Sequence, residues 1–247
     1  GALLAQDGDG NAYNTAVGFE AGVAMTTGTE NTIIGGLAGD ALTTGSQNIA
    51  IGYAALGSED TGSRNIAIGR GALGALNNDA NSYNIGIGHS AGAAVTTGIR
   101  NVLIGGLAGD ALTTGGNNIA IGYEALTTED GDGRNIAIGT NSLQNLNAGA
   151  DAYNVAVGFA SGAAMTTGVQ NTIVGGQAGD ALTTGSYNTV FGYEALTTED
   201  AHGLNTAIGY QTLRVQDAGA NAINVAVGHQ AGLAVTDGVQ NTLIGGL

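Results

Sequence analysis

The chain contains no cysteine, no proline and no tryptophan, and its five basic residues are all arginines. Because cysteine is absent, a disulfide framework and a thiolate metal site are both excluded. Only 4% of the 247 residues are aromatic, which is too few for the thick core of an ordinary globular domain. No stretch approaches the roughly 18 consecutive apolar residues that a membrane-spanning helix needs, so we expect no direct membrane insertion.

Negative charge dominates the chain. Twenty Asp and Glu residues face five Arg residues, which gives a formal net charge of −15. Such a surface repels polyanions, so we expect no nucleic-acid partner. The 46 glycines would be compatible with disorder, but the aliphatic residues keep a strict register along the chain, which a disordered segment does not need.

One asparagine recurs through the whole chain at a regular interval. Successive steps are 17, 17, 17 and 19 residues long, and this pattern returns every 70 residues. A fixed period of this size is typical of stacked structural units. The fourteen positions are Asn14, Asn31, Asn48, Asn65, Asn84, Asn101, Asn118, Asn135, Asn154, Asn171, Asn188, Asn205, Asn224 and Asn241.

The repeat predicts an all-β fold, a parallel β-solenoid or β-roll of about fourteen coils of 17 or 19 residues. Residues 1–247 then form one repetitive segment. The complete 70-residue superrepeats are 14–83, 84–153 and 154–223, and partial superrepeats lie at 1–13 and 224–247. We expect the segment to be part of a longer fibre.

Each coil is numbered here from its asparagine as position 0. Positions 0 to 4 read Asn-x-x-aliphatic-Gly, as in residues 48–52, and predict a five-residue strand with one buried face. Because position 3 is Val, Ile or Phe in every coil, we expect it to point into the coil and position 2 to point outward. Glycine at position 4 predicts a corner with positive φ or a close backbone approach.

Position 2 is small in most coils but carries a large aliphatic residue in the second coil of each superrepeat. If position 2 points outward, these residues form an apolar row that is unfavourable on a monomer. The row therefore predicts the seam of a homotrimer. Its members are Ile33, Leu103, Ile173 and Leu243.

The second half of the coil shows a compensation of side-chain volume. Coils with Gly at position 8 have a bulky residue at position 11, as in Gly39 and Leu42, whereas coils with Leu56 at position 8 have Glu59 at position 11. This compensation indicates that neighbouring segments share one narrow interior. We expect the asparagines to form a structural ladder whose amides hydrogen-bond along the column.

Acidic turns offer candidate calcium ligands, because hard oxygen ligands on flexible glycine-containing turns suit Ca²⁺. The alternative interpretation, which we favour, is that these turns are simply solvated and bind no cofactor, so that replacing Glu129 is nearly silent. The candidates are Asp7, Asp9 and Asn11 in one turn and Glu129, Asp130 and Asp132 in another. No catalytic residues are predicted: His89 and His229 stand where sister coils have Phe, and His202 has no nucleophile at a telling spacing.

The units 14–22 (NTAVGFEAG), 48–56 (NIAIGYAAL), 118–126 (NIAIGYEAL) and 205–213 (NTAIGYQTL) resemble the head repeats of YadA-like trimeric autotransporter adhesins. They also resemble the Asn-Thr-Ala-Ile-Gly repeats of phage tail fibres and bacterial surface proteins. The resemblance implies a left-handed parallel β-roll, a homotrimer and an extracellular adhesive or structural role with a surface receptor or glycan as partner. The coils here are longer than the adhesin head repeat, and the 70-residue superrepeat is not part of it.

Three functions therefore remain open. The first is a non-enzymatic segment of an extracellular fibre, either a surface adhesin or a phage tail fibre. The second is a self-assembling filament subunit that stacks end to end, and the third is a monomeric solenoid that binds Ca²⁺ or another ligand. Aromatic residues at position 5 serve either packing between chains, which we favour, or glycan binding. They are Phe19, Tyr53, Tyr123, Phe159, Tyr193 and Tyr210.

Overall fold

The computed structural model describes residues 1–7, 11–131 and 133–247. All of its regular structure is β, with fourteen strands of three residues each and no helix among the described residues. No helix of the described part could therefore cross a membrane. The strands are β1 Thr15–Val17, β2 Thr32–Ile34, β3 Ile49–Ile51, β4 Ile66–Ile68, β5 Ile85–Ile87, β6 Val102–Ile104, β7 Ile119–Ile121, β8 Ile136–Ile138, β9 Val155–Val157, β10 Thr172–Val174, β11 Thr189–Phe191, β12 Thr206–Ile208, β13 Val225–Val227 and β14 Thr242–Ile244.

The chain divides into two compact units, Gly1–Ala120 and Ile121–Leu247. In the first unit, β1 to β6 pair in chain order, and every pairing is parallel. In the second unit, β8 to β14 pair in the same manner. Equivalent positions of successive coils face one another, as in Ile49↔Ile66. The predicted fold class, a parallel β-solenoid with one strand position per coil, is confirmed.

Backbone hydrogen bonds join successive coils outside the strands as well. Leu37 N donates to Phe19 O at 2.9 Å, and Gly39 N donates to Ala55 O at 2.9 Å. The strands cover positions 1 to 3 and not the predicted 0 to 4, because the glycine at position 4 has positive φ and ends the extended segment. Each coil is therefore a short strand followed by a series of tight corners.

The predicted direction of the strand side chains is wrong. Position 2 points into the coil and positions 1 and 3 point outward: position 2 is buried in β2 to β13, whereas positions 1 and 3 are half-buried or exposed. Ile33, Leu103 and Ile173 are fully buried inside their coils, and Leu243 is half-buried. The large residues at position 3, such as Ile34 at 38% exposure, form the outer surface instead.

The narrowness of the coil interior explains this reversal. Most coils place alanine at position 2, as in Ala50 and Ala67, because Leu from position 8 already fills the space. In the second coil of a superrepeat, position 8 is glycine, so the side chain at position 2 fills the space instead. A Cβ built on Gly109 would lie 2.7 Å from Leu103 Cδ2, and one built on Gly92 in the preceding coil would lie 2.6 Å from Leu103 Cδ1. The compensation noticed in the sequence thus also involves position 2, which was missed.

Glycine at position 4 is required both because its φ is positive and because the backbone of the next coil approaches it closely, as the sequence predicted. Gly52 has φ +131°, and a Cβ on it would lie 2.6 Å from the carbonyl carbon and oxygen of Gly69 in the next coil. The same geometry recurs at Gly35 and Gly69 in the first unit and at Gly158 and Gly192 in the second. Only glycine therefore permits the coils to approach to hydrogen-bonding distance at this corner.

We expect Gly52→Ala to destabilise the fold by more than about 1 kcal/mol, because the new methyl group meets backbone that cannot move independently and the φ is unfavourable for alanine. Gly57→Ala is the matched control, since a Cβ there makes only ordinary contacts of 3.4 Å or longer and no positive φ is present. Chemical denaturation of both variants measures the difference. Equal stability of the two variants would contradict the assignment of this corner.

Candidate functional site

The outer face of the sheet is the most distinctive surface of each unit. Side chains at positions 1 and 3 of every strand stand on it, and nearly all of them are Ile, Val or Thr. Many are half-buried by their neighbours along the column, but several are strongly exposed. The exposed fraction is 58% for Val17 and 55% for Phe191. We call the side chains at positions 1 and 3 of the strands the sheet face.

Aromatic and basic side chains line both margins of the sheet face. At position 5, Tyr193 and Tyr210 stack with ring centroids 5.9 Å apart, and Tyr210 stacks on His229 at 5.2 Å. Because each ring covers the face of the next one, these rings offer mainly their edges to a ligand. This arrangement of Tyr193, Tyr210 and His229 is unlike an open platform for stacking a sugar.

The opposite margin is the residue before each asparagine. Arg64 lies over the Tyr83 ring at 5.5 Å, and Arg134 lies over the Tyr153 ring at 5.4 Å. Arg100 stands exposed in the same column. This margin is therefore basic and aromatic, although the whole chain is strongly acidic.

The asparagines form a continuous column within each unit and lie inside the coils. Asn48 N donates to Asn31 Oδ1 at 2.9 Å, and Asn48 Oδ1 in turn accepts from Asn65 N at 2.9 Å. The Asn48 amide also donates to Gly62 O at 3.0 Å, within its own coil. The Asn48 amide therefore closes its own coil and ties it to the next, which is a structural role. The Nδ2 groups of Asn65 and Asn135 donate instead to Ser63 O and Gly133 O of the preceding coil.

The third coil of each superrepeat carries a glutamate at position 11, and this side chain lies inside the coil and not on the surface. Glu59, Glu129 and Glu199 are fully buried, so the prediction that Glu129 lies in a solvated turn is wrong. The expectation that its replacement is nearly silent loses its physical basis. Glu59 Oε1 accepts from Gly62 N at 2.7 Å, and Glu59 Oε2 accepts from Asn78 N at 3.2 Å. Burial raises the pKa of Glu59, although these backbone hydrogen bonds favour its charged form.

The described residues do not bring the predicted calcium ligands together in a group of three or more. Asp9 and Asp132 lie outside the described residues. Asp7 and Asn11 are exposed on the surface. Glu129 is buried, whereas Asp130 is exposed and accepts from the backbone of Gly131. Because one ligand of each turn lies outside the described residues, the calcium hypothesis stays a prediction.

A different group of ligand-type side chains does come together within the described residues. It consists of Glu199, Asp200, His202 and Asp217, in the second unit. The sequence reasoning set His202 aside and did not consider Asp217. The signal was present, because the other two superrepeats have no histidine at the position of His202 and have Asn77 and Asn147 at the position of Asp217.

Comparisons with protein-family models, with curated proteins and with solved structures gave no match to this chain. The function is therefore inferred from the solenoid, the sheet face and the side-chain clusters of the chain itself.

We expect Asn48→Ala to destabilise the chain by about 2–4 kcal/mol, because it leaves the Asn65 N–H and the Gly62 carbonyl buried without partners. The control is Asn77→Ala, since the Asn77 side chain is exposed and surface changes usually stay within about 0.5 kcal/mol. Urea denaturation followed by circular dichroism compares the two. Equal free energies of unfolding for the two variants would contradict the structural role of the asparagine ladder.

The raised pKa of Glu59 predicts a pH-dependent stability. Since the folded pKa of Glu59 lies above its ordinary value of 4.5, the folded state binds the proton more tightly than the unfolded state. Its contribution is therefore fully present below pH 4.5 and is lost as the pH rises through the folded pKa. We expect the free energy of unfolding of the wild type, relative to Glu59→Gln, to fall between pH 4 and pH 7.

Denaturation at several pH values measures this difference. Thr44→Ala removes an exposed hydroxyl group and no titrating group, so its difference from the wild type stays constant with pH. If the free energy of unfolding of the wild type, relative to Glu59→Gln, instead rises with pH, the backbone hydrogen bonds to the charged carboxylate outweigh the effect of burial.

Proposed function

We propose that this chain is a non-enzymatic, structural segment of an extracellular fibre that serves adhesion or attachment and associates as a homotrimer through the sheet face. The observation that carries the proposal is the exposed aliphatic array at positions 1 and 3. We therefore propose that the seam runs along these positions and not along the buried position 2.

The size of the array supports association. Six strands at about 4.8 Å spacing and a width of three residues at about 3.3 Å give a sheet face of roughly 300 Å² in the first unit alone. The second unit carries an equivalent face. The largest apolar patch on a typical soluble monomer is about 300–600 Å² and is often functional. Covering this face removes a large aliphatic surface from water.

Periodicity favours another copy of the chain as the occupant. The face repeats with the spacing of the coils, so the columns of a second copy can lie alongside it in register. Arginine side chains stand on both margins, with Arg64 at one and Arg70 at the other, so charge does not select the orientation of that copy. The resemblance of the repeats suggests three chains, which a contact that closes into a ring can hold together.

The extracellular location and the adhesive role rest on the resemblance of the repeats to those of surface adhesins and tail fibres. A rigid, repetitive and acidic segment suits the spacing or presentation of a binding surface. End-to-end filament growth and a monomeric ligand-binding solenoid are the alternatives that the following measurement separates.

Sedimentation equilibrium at low micromolar concentration is expected to give three times the chain mass of 24.0 kDa. The combined change Ile49→Ser, Ile66→Ser and Ile85→Ser should give a folded monomer, because it removes aliphatic groups from the middle of the first unit's sheet face. The control combines Leu4→Ser and Val239→Ser, two exposed aliphatic residues away from the strands, and should stay trimeric.

A monomeric wild type, or a trimer that survives the three face changes, would overturn the proposed seam. Long heterogeneous assemblies would favour the filament. Circular dichroism of each variant confirms that the coils remain folded.

A further inference from the structure

Four side chains of the second unit place one ligand atom each within 4.8 Å of one another. They are Glu199, Asp200, His202 and Asp217. We propose that this cluster, which we call the His202 cluster, binds a divalent transition-metal cation of the zinc class. The inference is independent of the proposed trimer, because all four side chains belong to one chain.

Among the described residues, the cluster is found in the third superrepeat alone, and three changes relative to the other superrepeats build it. At the position of His202 the first superrepeat has Gly62 and the second has Asp132, and at that of Asp217 they have Asn77 and Asn147. The third change is Gln216, which takes the place of the leucines at 76 and 146. The other two superrepeats show that the fold needs none of these three polar side chains.

Gln216 is the most informative of the three changes. Its side chain is fully buried at a site where the other superrepeats bury Leu76 and Leu146. An amide in an apolar interior is unfavourable unless its hydrogen bonds are made. Gln216 Nε2 donates to Glu199 Oε2 at 3.1 Å, and Gln216 Oε1 accepts from Asn224 Nδ2 at 3.0 Å. The core leucine has thus been exchanged for a group that holds the buried carboxylate in place.

Glu199 in turn orients His202. Glu199 Oε1 lies 3.2 Å from His202 Nδ1 and accepts from the His202 backbone N–H at 3.2 Å. Two ligand atoms on one zinc ion, each at about 2.0–2.1 Å, lie roughly 3.3 Å apart in tetrahedral geometry. Glu199 Oε1 and His202 Nδ1 therefore already have the separation of two co-ligands, with the glutamate fully buried and the histidine half-buried. Asp200 and Asp217 are exposed and can close on the ion by side-chain rotation.

Charge at the cluster favours a cation. Three carboxylates converge there, and the nearest basic side chain along the chain, Arg214, is paired with Glu194 at 3.0 Å instead. The imidazole decides the class of the ion. Ca²⁺ and Mg²⁺ prefer oxygen ligands throughout, whereas zinc and its neighbours accept imidazole nitrogen together with carboxylate oxygen.

Isothermal titration of the full chain with ZnCl₂, and separately with CaCl₂, tests the inference. We expect saturable binding of about one Zn²⁺ per chain, with Ca²⁺ bound at least tenfold more weakly. His202→Gly and Asp217→Asn, which restore residues of the other superrepeats, should each weaken Zn²⁺ binding by about tenfold or more. His229→Phe is the matched control for loss of a histidine outside the cluster and should leave the affinity unchanged.

Gln216→Leu tests the positioning role separately. It restores the core residue of the other superrepeats, so we expect a folded chain with thermal stability equal to or above that of the wild type and with weakened Zn²⁺ affinity. Absence of saturable Zn²⁺ binding would overturn the proposal. So would Zn²⁺ affinity that survives both His202→Gly and Asp217→Asn, or tighter binding of Ca²⁺ than of Zn²⁺.

Discussion

The narrowness of the coil interior is the constraint on which the rest of the structure depends. Coils approach so closely at the position 4 corner that a methyl group on Gly18 would lie 2.5 Å from the backbone of Gly35. The strand then contributes a small residue to the interior in most coils, and a Leu or Ile in the second coil of each superrepeat, where position 8 is glycine. The remaining β-branched side chains of the strand have no room inside, so they stand on the outer face. An aliphatic exterior is therefore a consequence of close coil packing and leads directly to the expectation of a partner chain.

Much of the fold could be predicted from the sequence. The asparagine period gives the coils and their parallel pairing, and the glycine at position 4 gives the corner. Which strand positions point inward could not be predicted from the alternation of apolar and polar residues, because both faces of the strand carry apolar residues. The sequence predicted that the larger side chains at position 3 point into the coil. The narrow interior has room only for the smaller side chains that most coils carry at position 2. A comparison of Ala50 with Leu103, each against its position 8 neighbour, would have revealed the exchange.

The candidate sites were less predictable for a related reason. Glu59 and Glu199 look like residues of solvated turns, yet both lie in the interior and replace missing backbone partners. The His202 cluster joins residues 15 positions apart in sequence that come together only when one coil stacks on the next. Its sequence signal is not a motif but a departure from the other two superrepeats at three positions. In a repeat protein, such local departures are a better guide to chemistry than the repeat itself.

The central claim is that the sheet face is covered in the assembled molecule. The chain has no cysteine, so a single introduced thiol reports on one place. Phe191→Cys lies on the sheet face, where the native side chain is 55% exposed in the single chain. Thr167→Cys lies on an exposed turn of the same unit. Under native conditions, we predict slow maleimide labelling of the Phe191→Cys variant and fast labelling of the Thr167→Cys variant. After unfolding, the two variants should be labelled at equal rates. Equally fast labelling at both sites in the native protein would contradict the account.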